Sequence, residues 1–314
     1  MYEVKEQLWC IVLAGGDGIR TTQFIRNWWG QNRPKQYSAF TGSRSMFQHT
    51  LDRVARLTSW ERIVVVAGRK HQQMVWSQLD GRPVGMVLLQ PRNAGAAPGV
   101  VLALTYILKR DPHAQVVICP SGHFIYEEDR FVSSVQHATA ASVLLTGRPV
   151  LLGIKADRYE PGYGLIQPGR VLARIETSPI YEIRSLLEKP DQEGACRMQA
   201  AGALWNMMIV SASGQQVWDL GLNCIPKMMH RFSSLQATID TTNELIVLDS
   251  IYKGIPVRHF DSHVLQPAPE RLAVMEVRDV FWSDWEHPDR IVETLQKIEK
   301  QPACADALPF LYQG

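Results

Sequence analysis

The chain has 314 residues, with 33 lysines and arginines against 31 aspartates and glutamates and a formal charge of +2. A balance so close to zero excludes the strong positive field of a dedicated nucleic-acid binder. Apolar residues make up 46% and charged residues 20%, which suits a packed core and excludes wholesale disorder. No run reaches the roughly 18 apolar residues of a membrane-spanning helix.

Met1 to Gln7 carry charges of both signs, and Leu8 to Ala14 is too short for a secretory leader, so a cytoplasmic location is expected. The five cysteines, Cys10, Cys119, Cys196, Cys224 and Cys304, are scattered and never spaced C-x-x-C. They read as reduced thiols, neither a disulfide framework nor a zinc site.

Leu8 to Leu13 is the first predicted strand, and it runs directly into Ala14-Gly15-Gly16-Asp17-Gly18-Ile19-Arg20. Missing Cβ atoms allow such a loop to bring its N–H groups against phosphate oxygens. A tight turn with no ligand explains the same glycines. Walker A spacing and the third glycine of the dinucleotide fingerprint are both absent. Trp28-Trp29 then stand in a polar stretch, a candidate surface feature or part of a loop folding over a bound ligand. Arg33-Pro34-Lys35-Gln36-Tyr37 follows. With Arg20 and the Gly-rich loop, its Lys35 completes the equipment expected for a triphosphate.

Phe47, Leu51 and Val54 recur at helical spacing, Arg62 to Ala67 and Gly85 to Leu89 are strand candidates, and Val100, Ala103, Leu104, Ile107 and Leu108 form a full helical stripe. Gln115 to Cys119 is the next strand. This alternation predicts an α/β fold with a doubly wound, mostly parallel sheet, and ligands at the strands' carboxyl ends. Glu127, Glu128 and Asp129 read as the first turn of the next helix, where acids suit the macrodipole.

After about Pro149 the rhythm changes to strands at Pro149 to Lys155, Glu182 to Glu188 and Leu204 to Val210, separated by turns such as Pro161-Gly162-Tyr163-Gly164. Thr241 with Glu244 predicts a capping box opening a helix to about Tyr252, and His287-Pro288 opens a last helix. His259 and His263 have metal-like spacing but no third ligand nearby, so they read as ordinary core or surface histidines. Residues 301–314 read as a loose tail.

LAGGDGIR at 13–20 with RPKQY at 33–37 resembles the opening of the sugar-1-phosphate nucleotidylyltransferases, and RPKQ is most similar to the mannose-1-phosphate guanylyltransferases. Further landmarks follow in order: Gln90 to Pro98 resembles the base-recognition segment, Pro120-Ser121-Gly122-His123 the P-[AS]-D-H segment, and Gly162-Tyr163-Gly164 the G-Y-G turn. Leu187-Glu188-Lys189-Pro190, Trp205-Asn206 and Trp282-Ser283-Asp284 resemble the later E-K-P, W-N and W-S-D motifs. The resemblance implies a Rossmann-like sheet of the nucleotide-diphospho-sugar transferase type with a sugar-binding extension. It also implies one domain over 1–300, with a nucleotide-binding half at 1–150 and a sugar-phosphate half at 151–300.

The same resemblance implies transfer of GMP from GTP to mannose 1-phosphate, giving GDP-mannose and pyrophosphate. Arg20 and Lys35 would be the catalytic cations. Leu13, Ala14, Gly15, Gly16, Gly18, Gln90, Asn93, Pro98 and Ser121 would join them around the nucleotide, and Gly164, Glu188, Lys189 and Asn206 would hold the sugar phosphate. Asp284 would hold magnesium, but its partner position is Gly122, which supplies no carboxylate, so a weakened metal site is expected. Ala94 and Ala96 stand where related sequences are expected to carry arginine and threonine, which leaves the base open. Three readings therefore stand: the guanylyltransferase, a transferase using another nucleotide and hexose 1-phosphate, and a regulator that binds nucleotide sugar without turnover. No nucleic-acid or membrane partner is expected, and a homodimer is the assembly left open. The chain's length and its lack of hexapeptide repeats lead to an expectation of transfer alone, with no isomerase domain.

Overall fold

The structure, a computed structural model, describes residues 8–298, so the expected tail at 301–314 and Cys304 lie outside the described residues. Strand β1 (Leu8–Ala14) is apolar on both faces. Its side chains alternate between two cores: Trp9 and Ile11 enter one, and Leu8, Cys10, Val12 and Ala14 the other. That is the period-2 burial of a strand covered by helices on both sides.

The chain continues through α1 (Thr22–Trp29), α2 (Met46–Val54), β2 (Ile63–Gly68), α3 (Gln72–Leu79), β3 (Met86–Gln90), α4 (Ala96–Arg110) and β4 (Gln115–Pro120). Ser45 and Gln48 close a capping box at the start of α2. β1 lies parallel between β2 and β4, and β3 flanks β2. The chain thus winds outward from β1 to β3 and then crosses back to β4. The loops leaving β1 and β4 diverge, and a crevice opens at their carboxyl ends.

The remaining elements are β5 (Phe124–Tyr126), α5 (Glu128–Leu144), β6 (Val150–Lys155), β7 (Leu165–Ile175), β8 (Ser178–Leu187), α6 (Gln192–Ala200), β9 (Leu204–Ser213), α7 (Gly214–Cys224), α8 (Pro226–Gln236), α9 (Glu244–Gly254), β10 (Ala273–Val277), β11 (Phe281–Ser283) and α10 (Pro288–Lys297). They complete a nine-stranded sheet of order β3-β2-β1-β4-β9-β6-β10-β8-β7. β9 runs against β4 and β6, and β8 against β10 and β7, while the other strands share one direction. The expected α/β, mostly parallel sheet is therefore present, with an antiparallel hairpin closing one edge. β11 and β5 form a separate two-stranded ribbon pairing Ser283 with Phe124. That ribbon carries Asp284 to the end of β4.

Two expectations are corrected. The Thr241–Glu244 capping box does not form: Thr241 Oγ1 donates to Thr238 O at 2.7 Å, while Glu244 accepts from the Tyr106 hydroxyl at 2.6 Å and the Asp240 N–H at 2.7 Å. A tertiary donor has taken the carboxylate that the box needs. Trp28 is no surface residue, being 2% exposed in a third core with Ile25, Phe40, Trp285, Ile291 and Leu295. Its ring meets Phe24 at 5.3 Å and Phe40 at 5.6 Å. The polar neighbours that made the stretch look exposed face the other side of an amphipathic helix. Among the described residues Cys10, Cys119, Cys196 and Cys224 are free thiols, as expected.

Candidate functional site

The Gly-rich loop and the RPKQY segment are joined by side chains of the second motif. Gln36 donates to Ala14 O at 3.1 Å and to Gly16 O at 2.7 Å, and the Tyr37 hydroxyl donates to Ala14 O at 2.9 Å. Gly18 has φ 64°, and a Cβ there would stand 3.3 Å from both Pro34 Cα and Lys35 N, so the two segments meet only because position 18 is glycine. Asp17 pairs with Lys70 at 2.8 Å and tethers the loop from its other side.

A cleft of about 650 Å³ opens above these segments at the crevice beside β1 and β4. Gly16, Gly18, Arg20, Lys35 and Asn93 line it together with Gly164, Glu188, Lys189 and Asn206, and Arg20 and Lys189 meet at the Glu286 carboxylate. Asp284 lies on its wall. Arg20 and Lys35 therefore face one space, as the triphosphate reading requires. Exposed Arg20 pairs with Glu286, and half-buried Lys35 donates to the Asp284 main-chain carbonyl. Burial pulls the Lys35 ammonium below its usual range, against the opposing pull of Asp284 and Glu286.

Gly164 allows a carboxylate to come close: a Cβ there would lie 2.6 Å from Glu188 Oε2. Asn206 donates its amide toward Asp261 at 3.4 Å and is fixed by the Met208 N–H at 2.9 Å. Burial and the neighbouring Asp261 push Glu188 up to about 8, and burial raises Asp261 to about 6. Lys189 stands 3.8 Å from Glu188 and 4.0 Å from Glu286. Two carboxyls raised by burial, with an amide beside them, offer the mixture of donors and acceptors that hydroxyl groups bind.

Asp284 is held in a tight network. Its Oδ1 accepts from Arg290 Nη1 at 2.7 Å and from the Glu286 N–H at 2.9 Å. The rest of the guanidinium reaches Glu160 Oε1 at 3.0 and 2.7 Å and Pro161 O at 2.8 Å, and lies 4.1 Å over the Tyr163 ring. Burial alone would push Asp284 upward, but Lys35 and Arg290 more than reverse this and leave it below the usual carboxylate range. His123 accepts from Trp282 Nε1 at Nδ1, 3.2 Å away, and burial with Lys35 nearby pushes it down to about 3. Its neutral ring therefore carries the proton on Nε2.

Several expected residues stand behind the cleft wall. Leu13 O is occupied by the Ser121 N–H at 3.0 Å and Ser121 Oγ at 2.8 Å, and Ala14 O by Gln36 and Tyr37. Gln90, 4% exposed, accepts from the Tyr252 hydroxyl at 3.0 Å beneath Gly15, and the same hydroxyl reaches Pro98 O at 3.4 Å. These groups brace the loop from below. Of the segment Gln90 to Pro98, only Asn93 and Ala96 line the cleft, and Ala94 is fully buried. Glu128 and Asp129 open α5 as expected and pair with Arg53 at 2.9 Å and Arg56 at 2.5 Å.

Asp261, Glu286, Arg290, Glu160 and His259 belong to the site's surroundings but were not among the expected residues. Asp261 opens a single wide helical turn, Asp261–Leu265, a form common at functional sites that only the folded backbone reveals. Arg290 had no local signal, because its partner Glu160 lies 130 residues away.

The sequence pattern of the nucleotidyl transferase family matches residues 9–301. A stretch of 199 residues, 62% of the chain, is 31% identical to 40% of the alginate biosynthesis protein AlgA of Pseudomonas aeruginosa. Over 287 residues, 89% of the chain is 26% identical to 58% of the mannose-1-phosphate guanylyltransferase of Escherichia coli K12. The chain thus spans about half the length of these curated relatives. A solved structure described as a mannose-1-phosphate geranyltransferase from Thermus thermophilus superposes with a TM-score of 0.78 at 22% identity, over 94% of this chain and 80% of that one. With a family pattern running through the whole described sheet and its cleft, this chain belongs to the nucleotidyl transferase family.

Proposed function

We propose that this chain transfers GMP from GTP to mannose 1-phosphate and releases pyrophosphate. The observation that carries the reading is the cleft that Arg20, Lys35 and the Gly-rich loop share with Glu188 and Asn206. A nucleoside triphosphate would lie with its phosphates over the loop. The hexose would bind between Gly164, Glu188, Lys189 and Asn206.

The sugar phosphate is largely dianionic near neutral pH and needs no base. One of its oxygens attacks the α-phosphorus of the nucleotide, forming a new P–O bond as the bond to the bridging β-phosphate oxygen breaks in line. Lys35 and Arg20 neutralise charge on the α-phosphate and the departing pyrophosphate. Catalysis is positioning plus electrostatics, and loss of one such donor typically costs about 10²–10³ in rate.

Family members generally use a divalent metal. The residues here do not fit one. Position 122 offers no carboxylate, Arg290 occupies Asp284 Oδ1, and among the described residues no group of three or more His, Cys, Asp or Glu side chains is placed to hold a metal ion. No step is therefore routed through a metal.

The Asp284–Arg290 pair and Gly122 also favour a second reading, a regulator that binds nucleotide sugar without turnover. Pyrophosphate release from GTP with mannose 1-phosphate separates the two. Turnover that is lost in Lys35→Met supports the transferase, and GDP-mannose binding without turnover supports the regulator. Exchanging GTP for UTP, dTTP, CTP or ATP, and mannose for glucose 1-phosphate, tests the base and the sugar.

A further inference from the structure

We propose that this cleft holds its polyphosphate at the Gly-rich loop without a protein-bound divalent cation, with Lys35 supplying the positive charge beside Gly122 and Arg290 keeping Asp284 out of coordination. The proposal rests on the reading that the cleft takes a nucleoside triphosphate.

The geometry at three positions interlocks. A Cβ on Gly122 would lie 2.7 Å from Lys35 Cε and 3.4 Å from Lys35 Nζ, so the lysine fills the ground that a side chain at 122 would use. The same ammonium donates to the Asp284 main-chain carbonyl. Lys35 thus bridges the two positions whose carboxylates would flank a metal, and an ammonium there repels a dication.

Asp284 is committed elsewhere. Its side chain is 11% exposed and Arg290's is 4% exposed, with 2.7 Å between Oδ1 and Nη1. Arg290 cannot swing away without abandoning Glu160, Pro161 O and the Tyr163 ring. A metal at Oδ1 would have to displace a fully bonded guanidinium. Magnesium also demands near-ideal octahedral oxygen geometry, for which one remaining carboxylate oxygen is a poor anchor.

Among the described residues no nearby acid repairs the set: Asp17, on the loop itself, serves Lys70. Glu286 serves Arg20 and the Lys189 ammonium, Glu128 serves Arg53, and Asp129 serves Arg56. Glu188 and Asp261 belong with the proposed hexose contacts, where Lys189 already stands between Glu188 and Glu286. The charges balance without a metal. The carboxylates of Asp284 and Glu160 are matched by the guanidinium of Arg290 and the ammonium of Lys35. Gly122 supplies no acid, and the fixed guanidinium of Arg290 already neutralises the carboxylate that remains.

Two measurements on the intact chain test this. Calorimetric titration with GTP, no sugar phosphate being present, is run in EDTA and in excess magnesium; the dissociation constants are expected to agree within about threefold. Binding at least about tenfold tighter with magnesium overturns the proposal and leaves the nucleotide reading intact. Failure to bind GTP in either buffer removes the nucleotide reading and the proposal with it. Manganese titration of the nucleotide-free chain, followed by electron paramagnetic resonance, is expected to show no site tighter than about millimolar. A micromolar manganese site overturns the proposal independently of GTP.

Variants sharpen the manganese arm. Gly122→Asp, which needs only the tip of Lys35 to move, is expected to remain without a site, since the new acid pairs with Lys35 and Asp284 stays on Arg290. A site appearing in that single variant shows that Asp284 was free and refutes the arrangement. Gly122→Asp with Arg290→Met frees Asp284 beside the new acid, and acquisition of manganese binding by this folded double variant supports the proposal.

Discussion

Gln36 donates one side-chain amide to two carbonyls of the Gly-rich loop, Ala14 O at 3.1 Å and Gly16 O at 2.7 Å, from a position only 4% exposed. A residue of the second motif thereby sets the shape of the first. Gln36→Leu keeps the volume and removes both bonds, leaving Gly16 O without its side-chain donor. The expected cost is about 1–3 kcal/mol of folding stability by urea denaturation, the penalty of an unmet buried polar group. GTP affinity should fall about tenfold as the loop loosens. Tyr37→Phe removes only the bond to Ala14 O and is expected to lose about 1 kcal/mol with little change in affinity. Unchanged GTP binding in Gln36→Leu would separate the loop from the nucleotide.

What could be read from the sequence follows the range of the forces involved. β1 and α4 were legible because their own side chains carry the pattern: apolar on both faces in one, a full helical stripe in the other. The two motifs were legible as a pair because chemistry requires a cation beside a phosphate cradle. β5 and β11 were not, since three-residue strands hold no periodicity and exist only through each other. Thr241 and Glu244 have the right letters for a capping box, but Tyr106, distant in sequence, takes the carboxylate. Arg290 illustrates the limit at the site itself. A buried cation near Asp284 is decided by Glu160, Pro161 and Tyr163, and no local spacing announces that.

The Glu188–Asp261 pair makes stability depend on pH in a definite direction. Burial pushes Glu188 up to about 8 and Asp261 to about 6, with Lys189 opposing and Glu286 and Asp284 reinforcing. Unfolded carboxyls lose their protons near about 4. Between that value and about 8 the folded chain holds a proton on Glu188 that the unfolded chain has released, so stability falls as pH rises through this window. Glu188→Gln removes that slope. Its melting temperature should exceed the parent's at pH 8 and approach it near pH 4.5, and the parent–variant difference cancels the histidines that titrate in the same range. A difference independent of pH would refute the assignment.

The third core ties the site's rim to the sheet. Trp285 is fully buried, stacks on Phe124 at 4.9 Å and meets Phe40 edge-on at 4.9 Å, and its indole N–H donates to Thr294 Oγ1 at 3.0 Å. It follows Asp284 directly, so its packing fixes where that carboxylate and Arg290 meet. Trp285→Ala is expected to cost about 3–5 kcal/mol in chemical denaturation, the range for a buried aromatic truncated to a methyl. Trp285→Phe should retain most of the stability and lose mainly the bond to Thr294. A loss under about 1 kcal/mol in Trp285→Ala would show that this cluster can collapse around the void.

Gly164 gives the cleanest separation of the proposed hexose contacts from the nucleotide contacts. Its backbone is not in the left-handed region, so alanine introduces no backbone strain there. The new methyl would, however, stand 2.6 Å from Glu188 Oε2 and 3.5 Å from Asn206 Cβ. The Glu188 carboxyl must give way, because Leu187 O at 3.6 Å closes the other side. A displaced hydrogen-bonding group among the proposed hexose contacts should raise KM for the hexose 1-phosphate about tenfold, or about 1.4 kcal/mol. The calorimetric dissociation constant for GTP should stay at the parent value, since Arg20 and Lys35 are untouched. Equal losses for both substrates would mean that Gly164 supports the cleft as a whole, and no change in either would remove Glu188 from the hexose subsite.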